Sequence, residues 1–200
     1  DNDQQVIDVP VDSATFDFLN PKLGVDYRIN DADRMFLPAA VAHKEPGRAD
    51  SVDAPAGFAD RAERLVDFEL GWRRNADRYA LGLTAYHMAY TDQLIPTGAL
   101  NDVGAAIRQN VPKSSRTGLE MELGWQVSDA FEIGAQATLS RSRIDQFTEV
   151  AYDYGVNFDE NNVIEIEHDN TDIAFSPRVL WGGQLLSLIH ISEPTRRYSI

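Results

Sequence analysis

The chain has 200 residues, with 32 Asp and Glu against 18 Lys and Arg and a formal net charge of −14. It therefore lacks the basic face that nucleic-acid binding requires. With no cysteine, a disulfide scaffold, a thiolate zinc site and a cysteine nucleophile are excluded. A spanning helix would need about 18 consecutive apolar residues and none are found, but a spanning barrel would show only alternation and stays open.

In chain order, the first segment of period two is Leu23, Val25, Tyr27 and Ile29, alternating with Lys22, Gly24, Asp26 and Arg28. Met35 to Ala42 is strand-like without a clear facing, and Pro38 argues against a central position. Val66, Phe68, Leu70 and Trp72 then alternate with Asp67, Glu69, Gly71 and Arg73. Arg78 to Tyr90 places Tyr79, Leu81, Leu83 and Ala85 opposite Ala80, Gly82 and Thr84. The clearest segment is Arg116 to Val127, where Leu119, Met121, Leu123, Trp125 and Val127 alternate with Gly118, Glu120, Glu122, Gly124 and Gln126. Phe131 to Ser140 repeats it, and Ile173 to Trp181 is a seventh candidate. A helix would scatter these polar residues around its circumference, whereas a strand gathers the apolar ones on one face. The expectation is an all-β, antiparallel chain.

The connections alternate in length. Asn30–Asp33, Asn75–Asp77 and Ser128–Ala130 are tight polar turns. Long polar stretches, about His43–Arg64, Thr91–Ser115 and Thr148–Asp172, read as long loops. Strands joined this way have tight turns at one end and long loops at the other, as in membrane barrels. Tyr27, Trp72 and Trp125 stand three residues before a tight turn, and Tyr79 and Phe131 shortly after one. These five are expected to form an aromatic girdle at one interface. Leu119–Val127 and Phe131–Leu139 each supply nine alternating residues, about the length that crosses a bilayer when tilted. A soluble sandwich would also face its polar residues outward, so composition alone does not separate the two.

Chemistry-bearing motifs are sparse. In the acidic loop Asp153–Asn162, Asn157, Asp159 and Asn161 have alternate spacing, but the Gly and distal Glu of a calcium hand are missing. Glu165, Glu167, His168, Asp169 and Asp172 lack a second histidine in register for a metal. His43 and His87 read as interfacial or packed imidazoles. Gly182-Gly183 has no phosphate-loop context and no nucleophile elbow is found. No catalysis, cofactor or metal is expected.

Several stretches resemble one family. The run Thr97-Gly98-Ala99-Leu100-Asn101-Asp102-Val103-Gly104 leads through Ile107–Pro112 to Ser115-Arg116-Thr117-Gly118-Leu119-Glu120. It is similar to the C-terminal barrel of TonB-dependent outer-membrane receptors, as are Asn20–Val25, Lys44–Asp50 and Thr171–Pro177. The resemblance implies a fold in which about seven strands here form part of a 22-stranded barrel closed by a plug domain. It implies import of a scarce nutrient across the Gram-negative outer membrane, driven by the TonB complex, with siderophore, cobalamin, haem, glycan or peptide as cargo. It also implies that lumenal Glu120, Glu69 and Glu122 meet arginines of the plug, Glu120 matching the family pattern best. The chain starts at Asp1 without a signal-peptide pattern, and the expectation is a fragment without plug or TonB-contacting segment that does not transport alone.

Leu186 to Arg196 resembles the conceptual translation of a sequencing adapter. Residues 1–185 are therefore expected to be partial barrel and 186–200 a non-native tail. Two rivals stand beside this reading: a passive outer-membrane pore or structural barrel, and a soluble β-sandwich that binds or cleaves carbohydrate.

Overall fold

The computed structural model describes residues 15–47, 50, 61–101, 103–153, 155–156 and 162–187. Among the described residues eight strands form one antiparallel sheet: β1 (Lys22–Arg28), β2 (Asp33–Lys44), β3 (Glu63–Asn75), β4 (Tyr79–Leu100), β5 (Ala106–Ser128), β6 (Phe131–Asp153), β7 (Asn162–Asp172) and β8 (Val179–Ser187). Strands β1 to β7 pair in chain order, and β8 pairs with β6. β7 covers the upper half of β6 and β8 its lower half, so the two lie along a single neighbour.

Each tight turn is closed by local polar groups. Asn30 Oδ1 accepts from the Ala32 and Asp33 amides at 2.9 and 2.8 Å, an Asx-type turn. The Ala76 amide donates to the Tyr79 carbonyl at 2.8 Å, and the Ala130 amide to Ser128 Oγ at 3.3 Å. All three turns lie at one end of the sheet.

The register carries a steady stagger. Asp33, the first residue of β2, opposes Arg74, which opposes Leu81, then Leu123, then Ala135. Ala135 is four residues past the start of β6 at Phe131, after four strand-to-strand steps, so the sheet slips about one residue per strand. Such a slip is the shear of strands tilted in a barrel.

Three expectations are corrected. Thr91–Ser115 is not a long loop: β4 and β5 run on as a ladder to Leu100 and Ala106, leaving only residues 101–105 between them. Thr148–Asp172 is likewise mostly ladder, with β6 reaching Asp153 and β7 starting at Asn162. Ile173–Trp181 is not one strand, because residues 173–178 form the connection into β8. Both faces of these segments carry polar residues, so period two is lost although backbone pairing continues. Pro38 does stand in a strand paired on both sides, and the β2–β3 ladder skips residues 37 and 38 around it. Proline has no N–H to donate there.

No second layer covers the sheet among the described residues. Leu23 is 77% exposed, Phe68 54% and Trp181 83%, and Leu37, Leu70, Leu83, Trp125 and Leu139 are exposed with them. The sandwich rival required these apolar faces to pack on each other, and they do not. The buried apolar core lies instead in the upper extension, where Ile95, Val111, Ile144 and Ile173 meet beside Phe147. It forms because the alternation changes phase at Asp92 and Pro112. Thr91 opposes Lys113 and Gln93 opposes Val111, with no pair between, and Asp92 is left-handed at φ 54°. Above that point Gln93, Ile95, Thr97 and Ala99 are buried, and Ser114 Oγ donates to Gln93 Oε1 at 2.5 Å.

Candidate functional site on the polar face

The polar face is built by the residues that period two sets opposite the apolar ones. Glu69 on β3 opposes Tyr86 on β4, Glu120 on β5 lies between Thr84 and Thr138, and Glu122 lies between Gly82 and Gln136. All three expected glutamates are therefore on one face within adjacent rungs. Glu120 and Glu122 are exposed and Glu69 half-buried. Asp67 and Glu120 both act electrostatically on Glu69, so this part of the wall is a focus of negative charge.

Two close packings set the shape of this wall. The Phe36 ring covers Gly71 and leaves no room for a Cβ there, while the Arg73 guanidinium stands 5.3 Å from the same ring centroid. The Tyr86 ring covers Gly118, where a Cβ would come 2.5 Å from Tyr86 Oη and 2.7 Å from the Leu139 carbonyl oxygen. Glycine in a strand here marks the close approach of another group. Beside them a groove of about 710 Å³ is lined by Arg73, Gly82, Glu122, Gln136, Gly182 and Gln184, among others.

The sequence reading did not single out Asp67, Arg73 or Arg116, which share this face. Asp67 Oδ1 and Arg116 Nε are buried and have no hydrogen-bond partner among the described residues. Arg116 stands 5.8 Å from the Tyr90 ring centroid. Period two places Asp67 and Arg73 beside Glu69 and sets Arg116 on the face of Gly118 and Glu120; that Arg116 lies across from Asp67, through Met88, follows only from the register.

The five aromatic residues lie on the apolar face. Tyr27 and Trp72 both oppose Met35, Tyr79 opposes Trp125, and Phe131 opposes Ser128. Tyr27, Trp125 and Phe131 are exposed. His43 is stacked on Phe18 at 5.1 Å and bonded to Asn20 at 2.9 Å, and His87 is bonded to Thr117 Oγ1 at 2.7 Å. His168 pairs with Glu149 at 2.8 Å. Among the described residues no group of three or more His, Asp or Glu stands together to hold a metal ion. Asn157, Asp159 and Asn161 lie outside the described residues.

One tilted antiparallel sheet, apolar and bare on one side and polar on the other, is the wall of a membrane-type β-barrel. The chain belongs to the TonB-dependent receptor family: residues 1–184 match the model of the TonB dependent receptor-like β-barrel. No curated protein sequence matches it. Solved structures share the fold. The ferric-catecholate import receptor Fiu of E. coli K12 aligns at 15% identity over 82% of this chain and 21% of Fiu, with a TM-score of 0.56. The ferric yersiniabactin uptake receptor FyuA of Yersinia pestis gives 18% identity, 82% and 22% coverage and 0.54. The siderophore receptor PirA of Pseudomonas aeruginosa gives 15% identity, 85% and 42% coverage and 0.53. The chain thus spans between about a fifth and two-fifths of the length of these receptors. Receptors of this family are outer-membrane β-barrels of Gram-negative bacteria and are not enzymes.

Proposed function

We propose that this chain is part of the barrel of an outer-membrane receptor that takes up a scarce nutrient actively, a siderophore, vitamin, haem, glycan or metal complex, with energy from the TonB complex. The carrying observation is the two-sided sheet: bare apolar rows on one side, Glu69, Glu120 and Glu122 on the other. In this reading the apolar side meets lipid and the glutamates hold the arginines of the receptor's own plug domain. A charge-assisted Arg–carboxylate bond is strong yet rearrangeable, which suits a plug that must shift. The aromatic residues form the interfacial girdle. Tyr27 and Trp72 share one register row, Tyr79 and Trp125 lie four residues nearer the turns and Phe131 two further, and all five come within about three residues of one height once the sheet's stagger is allowed for.

Residues 186–200 are proposed to be non-native sequence. Leu186 and Ser187 still pair with Glu132 and Phe131 at the end of β8, while residues 188–200 lie outside the described ones.

The test uses the full receptor chain expressed in a Gram-negative host. It should fractionate with the outer membrane and need detergent for extraction. Glu120→Gln should loosen the plug and raise sensitivity to vancomycin, a solute too large for ordinary pores, with unchanged barrel assembly. Unchanged vancomycin exclusion in a Glu120→Gln/Glu69→Gln double variant would remove the latch role. Extraction without detergent would remove the membrane placement.

A further inference from the structure

On the apolar face, the upper limit of the apolar rows is marked by guanidinium groups. One rung holds Ala85, Leu119, Leu139 and Val179. The next rung up holds His87, Thr117 and Arg141, and the one above it Ala89, Ser115, Arg143 and Asp172. Arg178, just before β8, reaches into the same group: its Nη2 donates to Asp172 Oδ2 at 2.6 Å. Arg143 Nε lies 3.1 Å from Asp172 Oδ1, at an angle too poor for a hydrogen bond, and Arg143 also donates to the Asn170 carbonyl. Arg141 is exposed and acts on Asp172 only through space.

Three guanidinium groups thus surround one carboxylate, an excess of two positive charges on a chain whose formal net charge is −14. Leu139, Val179 and Trp181 are exposed directly beneath them. A rung of this face rises about 7 Å, two residues along a strand. That offset sets positive charge at phosphate depth while the rows below meet acyl chains.

We propose that Arg141, Arg143 and Arg178 form a seat on the outer wall for the phosphate of an anionic lipid headgroup. Guanidinium suits this task, because its planar fork matches phosphate oxygens bidentately. Asp172 holds Arg143 and Arg178 in place and leaves Arg141 free to engage the ligand. The same charges would attract inorganic phosphate, but the bare apolar rows beneath favour a headgroup carrying its own acyl chains. The inference rests on the membrane reading of the sheet.

The test is electron spin resonance on the full chain reconstituted in phosphatidylcholine bilayers, with spin-labelled phosphatidic acid and spin-labelled phosphatidylcholine as probes. The wild type should retain the phosphatidic acid probe preferentially. Removing one charge in Arg141→Gln should weaken that preference about fivefold, with Arg141→Gln/Arg178→Gln weaker still. Arg141→Lys should keep part of the preference, and Arg28→Gln on the polar face all of it. The phosphatidylcholine signal and resistance to unfolding in detergent should match in all variants. Equal retention of phosphatidic acid by wild type and double variant would overturn the seat, as would its displacement by millimolar inorganic phosphate. Absence of any immobilised phosphatidylcholine would instead overturn the membrane reading and leave the charge cluster unexplained by lipid.

Discussion

Asp172 shows how one side chain can couple two strands to pH. The Arg178 hydrogen bond holds its carboxyl below the ordinary value of 3.8; desolvation opposes it, and the charges of Arg143, Arg178 and Arg141 add to the lowering. A carboxyl whose folded value is lowered stabilises the fold fully above its ordinary value, and that contribution is lost as pH falls through the lower folded value. Pepsin cleavage within residues 173–178 should therefore rise as pH drops from about 4.5 to about 2.5. Asp172→Asn should be cleaved at all pH values in that range. At the same scale, Gly118 and Gly124 separate two reasons for glycine. A valine at Gly118 meets Tyr86 and the Leu139 carbonyl, whereas nothing lies within 4 Å of a Cβ at Gly124. Gly118→Val should cost about 1–3 kcal/mol by overpacking and Gly124→Val much less, as read from denaturant unfolding of the refolded barrel.

Among elements, the long β4–β5 hairpin and upper β6 behave as a unit with their own core. Ile144 is 3% and Val111 1% exposed, and Gly98 lies close enough that a Cβ would be 3.2 Å from the Val150 carbonyl oxygen, across β5. Ile144→Ala should destabilise this extension by about 2–5 kcal/mol without releasing the lower barrel. Protease nicking confined to residues 95–115 and 144–172 would report it, and whole-chain degradation would contradict the division. The lower halves of the strands were legible in the sequence, since Leu119–Val127 alternates without interruption. The upper halves were not. Near Asp92 and Pro112 the phase of alternation changes, and from Thr148 to Asp172 polar residues stand on both faces. Periodicity has nothing to detect there, while backbone hydrogen bonding needs no side-chain pattern.

For the whole molecule, the direction in which each face looks decides stability. Leu123 stands on the apolar face between Leu81 and Ala135, and Glu122 on the polar face between Gly82 and Gln136. If the apolar face meets hydrocarbon, Leu123→Arg should cost about 2–4 kcal/mol near mid-bilayer, while Glu122→Gln should be mild. Heat-modifiable mobility of the full chain after outer-membrane assembly measures both. Equal tolerance of the two substitutions would contradict the assignment of faces.

The strand class, the two faces, the tight turns and the glutamates on the polar side were determined by sequence alone, because a strand's side-chain period is a local property of the backbone. Which strands neighbour which, the one-residue slip, the ladders beyond the apolar rows and the gathering of Arg141, Arg143 and Arg178 around Asp172 were decided only by tertiary structure. These depend on register between segments far apart in the chain, and no single segment's pattern encodes its partner's offset.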